Sequence, residues 1–301
     1  MKQGTFMFFF LIFLISCKRE KDIVFFEDEV FLNDSLVGVF DVSYGESKYN
    51  TVDVFYRPNS NKGINNLMFY IHGGNWCFGD KKELEFRQIN SLVSYGFIVF
   101  RLNYRLSPYP LQLGVFDRVK NPDQIGDLAK AISFFCKKKD LFSTDKSNIV
   151  LVGHSAGAHL ASMVAAEESH LLNDVLQDCP ISKLILIDAG GYMTKSDVYV
   201  KSDYYPYFMN AAGDTPDNID AFVPSFRFKN SDENKPSILL LFSSELYRVN
   251  SNLEFYKLMK SKGYEVHYYQ LGNLSHGEMQ KGFPFYDKLS HAEINFIFSC
   301  Q

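Results

Sequence analysis

Gly153-His154-Ser155-Ala156-Gly157 (GHSAG) decides how this chain is read. It follows the apolar run Ile149 to Val152 and precedes a helix-like run, Ala158 to Ala166. The order is strand, sharp turn, helix, with a serine at the apex. A G-x-S-x-G elbow requires that context, because the serine backbone is held in a strained conformation. The residues two before and two after the serine must be small where strand and helix nearly collide. Gly153 and Gly157 satisfy that need.

Outward from the elbow, apolar runs alternate with helical patterns. Leu67 to Ile71 and Phe97 to Leu102 are continuous apolar runs, expected as strands buried on both faces. Lys81 to Val93 reads as a helix. Asp123 to Lys138 reads as another, with Ile125, Leu128, Ala129, Ile132 and Phe135 at helical spacing. Lys183 to Ile187 and Ile238 to Phe242 are further strands, Asn252 to Lys262 a helix, Glu265 to Gln270 an edge strand and Tyr286 to Phe298 a last helix. Val37 to Tyr44 and Val52 to Tyr56 alternate apolar and polar, predicting an antiparallel hairpin at the sheet edge. The pattern predicts an α/β fold: a mostly parallel sheet covered on both faces. Ligands bind such sheets at the carboxyl ends of the strands, where both HGGNW (72–76) and GHSAG fall. Residues 189–235 differ: nine aromatics and Pro206, Pro216 and Pro224 with poor periodicity predict a cap-like insert.

The 301 residues are 46% hydrophobic and 22% charged, a globular composition with room for one large core or two small ones. The net charge of -4 gives no reason to expect a nucleic-acid partner. Lys2, the apolar run Phe6 to Ile15 and then Ser16-Cys17 form a secretory signal peptide. The run falls short of the roughly 20 residues a membrane-spanning helix needs. Residues 1–16 are therefore set aside from the fold, with 17–35 as a tether and first short strand and 36–301 as the folded domain. Cys77, Cys136, Cys179 and Cys300 form no CxxC or Cys/His cluster, so no metal or other cofactor is expected. Their pairing and the oligomeric state stay open.

A serine hydroxyl is a poor nucleophile at neutral pH. It needs a base, a carboxylate to orient that base, and N–H donors for the oxyanion. Ser155 is the expected nucleophile. HGGNW is the expected oxyanion loop, with His72 holding it rather than catalysing. Among the later histidines, His267 alternates within a strand and His291 lies in the last helix, whereas His276 sits in a loop after the last strand and is the expected base. Glu245, in SSELYR after the strand ending at Phe242, is the preferred acid. Asp188 and Asp214 are the alternatives, and Asp188 follows the preceding strand. Serine, acid, histidine is the order of the α/β-hydrolases.

HGGNW (72–76), NYRLSP (103–108), GHSAGAHLA (153–161), SSELYR (243–248) and SHG (275–277) together resemble an α/β-hydrolase of the esterase/lipase branch. Within it the chain looks like hormone-sensitive-lipase-like enzymes, kynurenine-formamidase-like enzymes and bacterial feruloyl and acetyl esterases. Asn75 replaces the third glycine of the lipase-like HGGG, and Glu245 stands where the family's Asp is commoner. The resemblance implies the α/β-hydrolase fold, with the backbone N–H groups of Gly74, Asn75 and Ala156 as oxyanion donors. It also implies a serine hydrolase cleaving small acyl or carbohydrate-linked carboxylic esters. An aryl formamide or amide hydrolase with the same triad, and an inactive hydrolase-fold binding protein, are the alternatives. Leu14-Ile15-Ser16-Cys17 is similar to the bacterial lipobox, which implies lipid attachment at Cys17 and an exported, membrane-anchored protein, periplasmic or at the cell surface.

Overall fold

The computed structural model describes residues 28–33, 35–57, 66–138, 148–166, 179–193, 200–228, 235–286, 289 and 291–298. The expected signal peptide, Cys17 and most of the expected tether lie outside the described residues, as does Cys300.

Nine strands form a single sheet in the order β1-β2-β3-β5-β4-β6-β7-β8-β9. β1 (Val30–Asn33), β2 (Leu36–Ser43) and β3 (Thr51–Tyr56) run antiparallel at one side. β3 meets β5 (Phe97–Leu102) antiparallel, and from there every pairing is parallel. β4 (Asn66–Ile71), β6 (Ile149–His154), β7 (Ile181–Ile187), β8 (Ser237–Phe242) and β9 (Val266–Gln270) complete it. All six residues of β4, β5 and β6 are buried, which is why their apolar runs are continuous rather than alternating. β9 is the edge expected, with three of its five residues exposed.

Helices cover both faces. α1 (Phe86–Ser94) packs Ile89, Leu92 and Val93 against one face, beside Met68, Val99 and Val150. α2 (Asp123–Cys136) and α3 (Ala156–Ala166) cover the other, where Leu128, Ile132 and Phe135 meet Phe69, Phe100 and Leu151. The helix expected over Lys81 to Val93 is divided. Lys81–Glu83 forms a 3-10 turn capped by Asp80, and α1 begins only at Phe86, after a capping box between Glu85 and Gln88. The division follows from Lys81, which turns inward to Asp41 and Asp53 at 2.5 and 2.6 Å. Arg101 joins Asp53 from the neighbouring strand at 2.8 Å. This network, buried at Lys81, Asp53 and Arg101 and open to solvent at Asp41, adjoins the loop after β4: Lys81 N donates to Asn103 Oδ1, and Asn103 Nδ2 to Asp80.

Within 200–228 the chain forms α4 (Tyr205–Ala212), α5 (Pro216–Ala221) and α6 (Pro224–Arg227). Phe208 of α4, and Phe222 and Val223 between α5 and α6, are fully buried in the same core as α2 and α3. Beyond it come α7 (Leu246–Ser261), α8 (His276–Gly282) and α9 (His291–Phe298).

Candidate active site

β6 ends at His154, α3 begins at Ala156, and Ser155 between them has φ 55°. A side-chain-bearing residue held there costs about 1 kcal/mol or more, so the surroundings must fix it. They do: Ser155 N donates to Ile187 O at 2.8 Å, and its carbonyl accepts from Ala158 and His159. The flanking glycines are required by space. A Cβ on Gly153 would lie 2.4 Å from the carbonyl carbon of Gly157, and one on Gly157 only 2.1 Å from Ile71 O. Crossing that closely brings the end of β4, and the loop after it, beside the serine.

That loop holds three successive left-handed residues, Gly74, Asn75 and Trp76, at φ 101°, 52° and 60°. Several contacts hold it. Trp76 O accepts from Ser107 N and from the buried Gln124 side chain, both at 2.8 Å. Tyr104 OH donates to His72 O, and the His72 ring stacks on Tyr104 at 4.4 Å. Glu83 takes the N–H of Gly73. The His72 Nδ1–H donates to Gly73 O, and burial pushes this imidazole down to about 4, so it is a neutral strut. Trp76 anchors the loop to α3 and α4, its ring against His159, Phe208 and Phe222 at 5.2, 5.6 and 5.9 Å. Asn75 and Ala156 lie with Ser155 on one cleft of about 270 Å³. Gly74 sits at the turn behind, its carbonyl accepting from Cys77 and Phe78. Burial pushes the Cys77 thiol up to about 11, far from a reactive thiolate.

His276 is not in an open loop. It is the first residue of α8, capped by Ser275, whose hydroxyl and N–H pair with Glu278. The signal was present in Ser275-His276-Gly277-Glu278, a capping box. His276 Nδ1 lies 2.7 Å from Asp188 Oδ2. A carboxylate only accepts, so Nδ1 carries the proton and Nε2 is left as the basic nitrogen. The helix start is tied to the elbow, since His154 Nε2 donates to His276 O at 3.1 Å and the two rings are 4.4 Å apart.

The acid beside His276 is therefore Asp188, not Glu245. Asp188 directly follows β7, is fully buried and has φ 52°. Burial alone would raise its carboxyl. The hydrogen bond to His276, the Arg248 charge and the Ser243 N–H at 2.7 Å outweigh that and hold it below the usual carboxylate range. Glu245 precedes α7, is 45% exposed, and accepts from Arg248 Nε at 2.8 Å. Asp214 is also elsewhere, forked to Arg118 at 2.8 and 2.9 Å. Two sequence features marked this outcome. Asp188 ends an apolar strand next to the elbow strand, and Arg248 stands one helical turn from Glu245, where it claims that carboxylate. No group of three or more His, Cys, Asp or Glu suited to a metal occurs among the described residues.

A family model described as BD-FAE matches residues 52–189. Over 127 residues, 42% of the chain, the sequence is 32% identical to a probable carboxylic ester hydrolase, LipM, of Mycobacterium tuberculosis (strain ATCC 25618 / H37Rv), and covers 27% of that protein. It is also 32% identical over 130 residues to the kynurenine formamidase of Danio rerio, covering 43% of this chain and 39% of that one. The chain thus spans well under half the length of these relatives. A carbohydrate esterase from gut microbiota, solved in truncated form, superposes with TM-score 0.69 at 16% identity over 90% of this chain and 96% of that one. Esterase B from Lactobacillus rhamnosis gives 0.62 at 20% identity, over 79% and 74%. The chain has the α/β-hydrolase fold, and the middle of its sequence, residues 52–189, is similar to the BD-FAE family.

Proposed function

We propose that this α/β-hydrolase is a serine hydrolase that cleaves carboxylic esters through an acyl-enzyme. The observation that carries the reading is the 2.7 Å contact of His276 Nδ1 with the buried Asp188, set against a serine held at φ 55° on the elbow. Ser155 Oγ attacks the acyl carbon while His276 Nε2 takes its proton. Asp188 keeps the imidazole in the required tautomer and stabilises its positive charge. The N–H groups of Asn75 and Ala156, with Gly74 completing the turn, receive the negative oxygen of the tetrahedral intermediate. One such donor contributes about 3 kcal/mol. The intermediate collapses with cleavage of the C–O bond, and His276 returns the proton to the leaving alcohol. Water, deprotonated in turn by His276, releases the acid and regenerates Ser155.

The esterase names among the relatives support this reading, and the formamidase similarity makes an aryl formamide the first alternative substrate to assay. The test is covalent. A fluorophosphonate probe is expected to label the wild type at one site, Ser155, with loss of p-nitrophenyl acetate hydrolysis in proportion. Labelling that persists in a folded Ser155→Ala variant, or hydrolysis that survives in it, would remove the assignment.

Membrane attachment through a lipid on Cys17 is part of the same proposal, supported by Leu14-Ile15-Ser16-Cys17 after the short apolar run. In a bacterial host the full chain is expected in the membrane fraction, and Cys17→Ser in the soluble fraction. Equal partition of the two would refute the anchor.

A further inference from the structure

Arg248 is 98% buried by its own side-chain exposure of 2%, yet it lines the cleft that holds Ser155, Asn75 and Ala156. Two of its three nitrogens are committed. Nε donates to Glu245 Oε2 at 2.8 Å and stands 3.5 Å from Asp188 Oδ2, and Nη1 donates to Asp188 O. Nη2 donates to no described residue. Because Arg248 lines the cleft, a ligand there can accept a guanidinium N–H in place of water. Two rings frame this group: Tyr247 at 4.7 Å and Tyr204 at 5.5 Å from Arg248 Cζ, with the tyrosines 5.2 Å apart, both on the cleft wall.

The charges around it decide what it takes. Arg248 carries one positive charge against two carboxylates, Asp188 and Glu245, so the trio is formally negative. An anionic substrate group brought to Nη2 would meet both carboxylates. A neutral oxygen on a ring gains the N–H without that repulsion, and the ring packs on the aromatic wall of Tyr204 and Tyr247. We propose that Arg248 is a specificity-determining residue whose Nη2 donates to a neutral hydroxyl of a ring-bearing ester, phenolic or sugar, bound against the cleft wall that Tyr204 and Tyr247 form. The proposal rests on the serine-esterase reading. It gives Glu245 a role other than triad acid: holding the guanidinium so that Nη2 faces the cleft.

The experiment compares matched esters by kcat/KM in the full chain and in Arg248→Met. Methyl 4-hydroxycinnamate against methyl cinnamate varies a hydroxyl on the acyl side. A monoacetylated methyl xyloside against cyclohexyl acetate varies hydroxyls on the alcohol side. The wild type is expected to prefer the hydroxylated member of one pair by tenfold or more, chiefly through KM. In Arg248→Met that preference is expected to fall to near unity. The pair that responds identifies whether the ring belongs to acid or alcohol. Because Arg248 also touches Asp188, both members will slow; the ratio separates binding from that effect. Should the Met variant fail to fold, Arg248→Lys carries the test, since an ammonium keeps the charge but cannot bridge two partners and still reach a third. An unchanged ratio while both rates fall, or no wild-type preference in either pair, overturns the donor role. So does a preference of the wild type for methyl hydrogen succinate over methyl butyrate that Arg248 carries, which would make the site anionic. If the wild type also fails on p-nitrophenyl acetate and fluorophosphonate, it is the esterase reading that falls.

Discussion

Asp188→Asn is expected to lower kcat on p-nitrophenyl acetate by about 10³ to 10⁴, whereas Glu245→Gln lowers it by less than about threefold. The first effect follows from which atom carries the proton. Asp188 Oδ2 accepts from His276 Nδ1 at 2.7 Å, and its Oδ1 is already occupied by Ser243 N–H. An asparagine keeps its carbonyl oxygen on Ser243 and turns its amide N–H₂ toward Nδ1. Nδ1 then becomes the acceptor, the proton moves to Nε2, and the base is blocked. The imidazolium formed in the transition state also loses its buried counter-charge. Glu245→Gln removes no such contact. Its oxygen can still accept from Arg248, and the side chain is partly in water. Melting curves of both variants check that folding is intact, because Asp188 also faces Arg248 at 3.5 Å. A large loss in Glu245→Gln with little in Asp188→Asn would return the acid to its sequence-expected position.

The contrast between these two carboxylates marks what the sequence carries. The elbow was legible because its requirement is steric: Gly153 and Gly157 lie where strand, helix and the end of β4 cross, and no other residue fits. His276 was legible as the histidine following the last strand, whereas its helix, only seven residues long, leaves no periodicity to mark it beyond the capping box Ser275 to Glu278. The acid was not legible from order alone. Asp188 and Glu245 both follow a strand, both precede His276, and both fit a serine-acid-histidine sequence. What separates them is local: one is buried at the strand end with φ 52°, and the other is neutralised by an arginine three residues on. The insert shows a similar limit. Its prolines and poor periodicity predict a cap-like insert without helices, but Pro206, Pro216 and Pro224 each sit in the first turn of a helix, where proline is favoured because its missing N–H has no partner to lose. These helices are too short for periodicity to register, and packing of Phe208 and Phe222 on Trp76 and His159 ties them to the loop after β4.

The same packing makes the fold sensitive to acid. His72, His154 and His159 are all buried, and burial pushes their imidazoles down to about 4, 3 and 3, with the positive charge of a protonated His276 adding to the effect on His154. In the unfolded chain each titrates near 6.5. Above that value neither state binds the proton and the histidines cost nothing. Below it the unfolded chain takes up protons that the folded one refuses, so stability falls with pH, through about 4 for His72 and about 3 for the other two. Each group contributes about 1.4 kcal/mol per pH unit in that window. Three together remove about 4 kcal/mol between pH 7.5 and 5.5, a large part of the total for a typical domain. The expected result is a marked drop in the urea midpoint across that interval. His159→Gln should reduce the drop by about a third, since its amide can still donate to Phe222 O as His159 Nε2 does at 2.9 Å and cannot titrate. Equal midpoints at the two pH values would mean that at least some of these imidazoles reach a proton in the folded state. The His154 ring is the first to question in that event, since it stands against the half-buried His276.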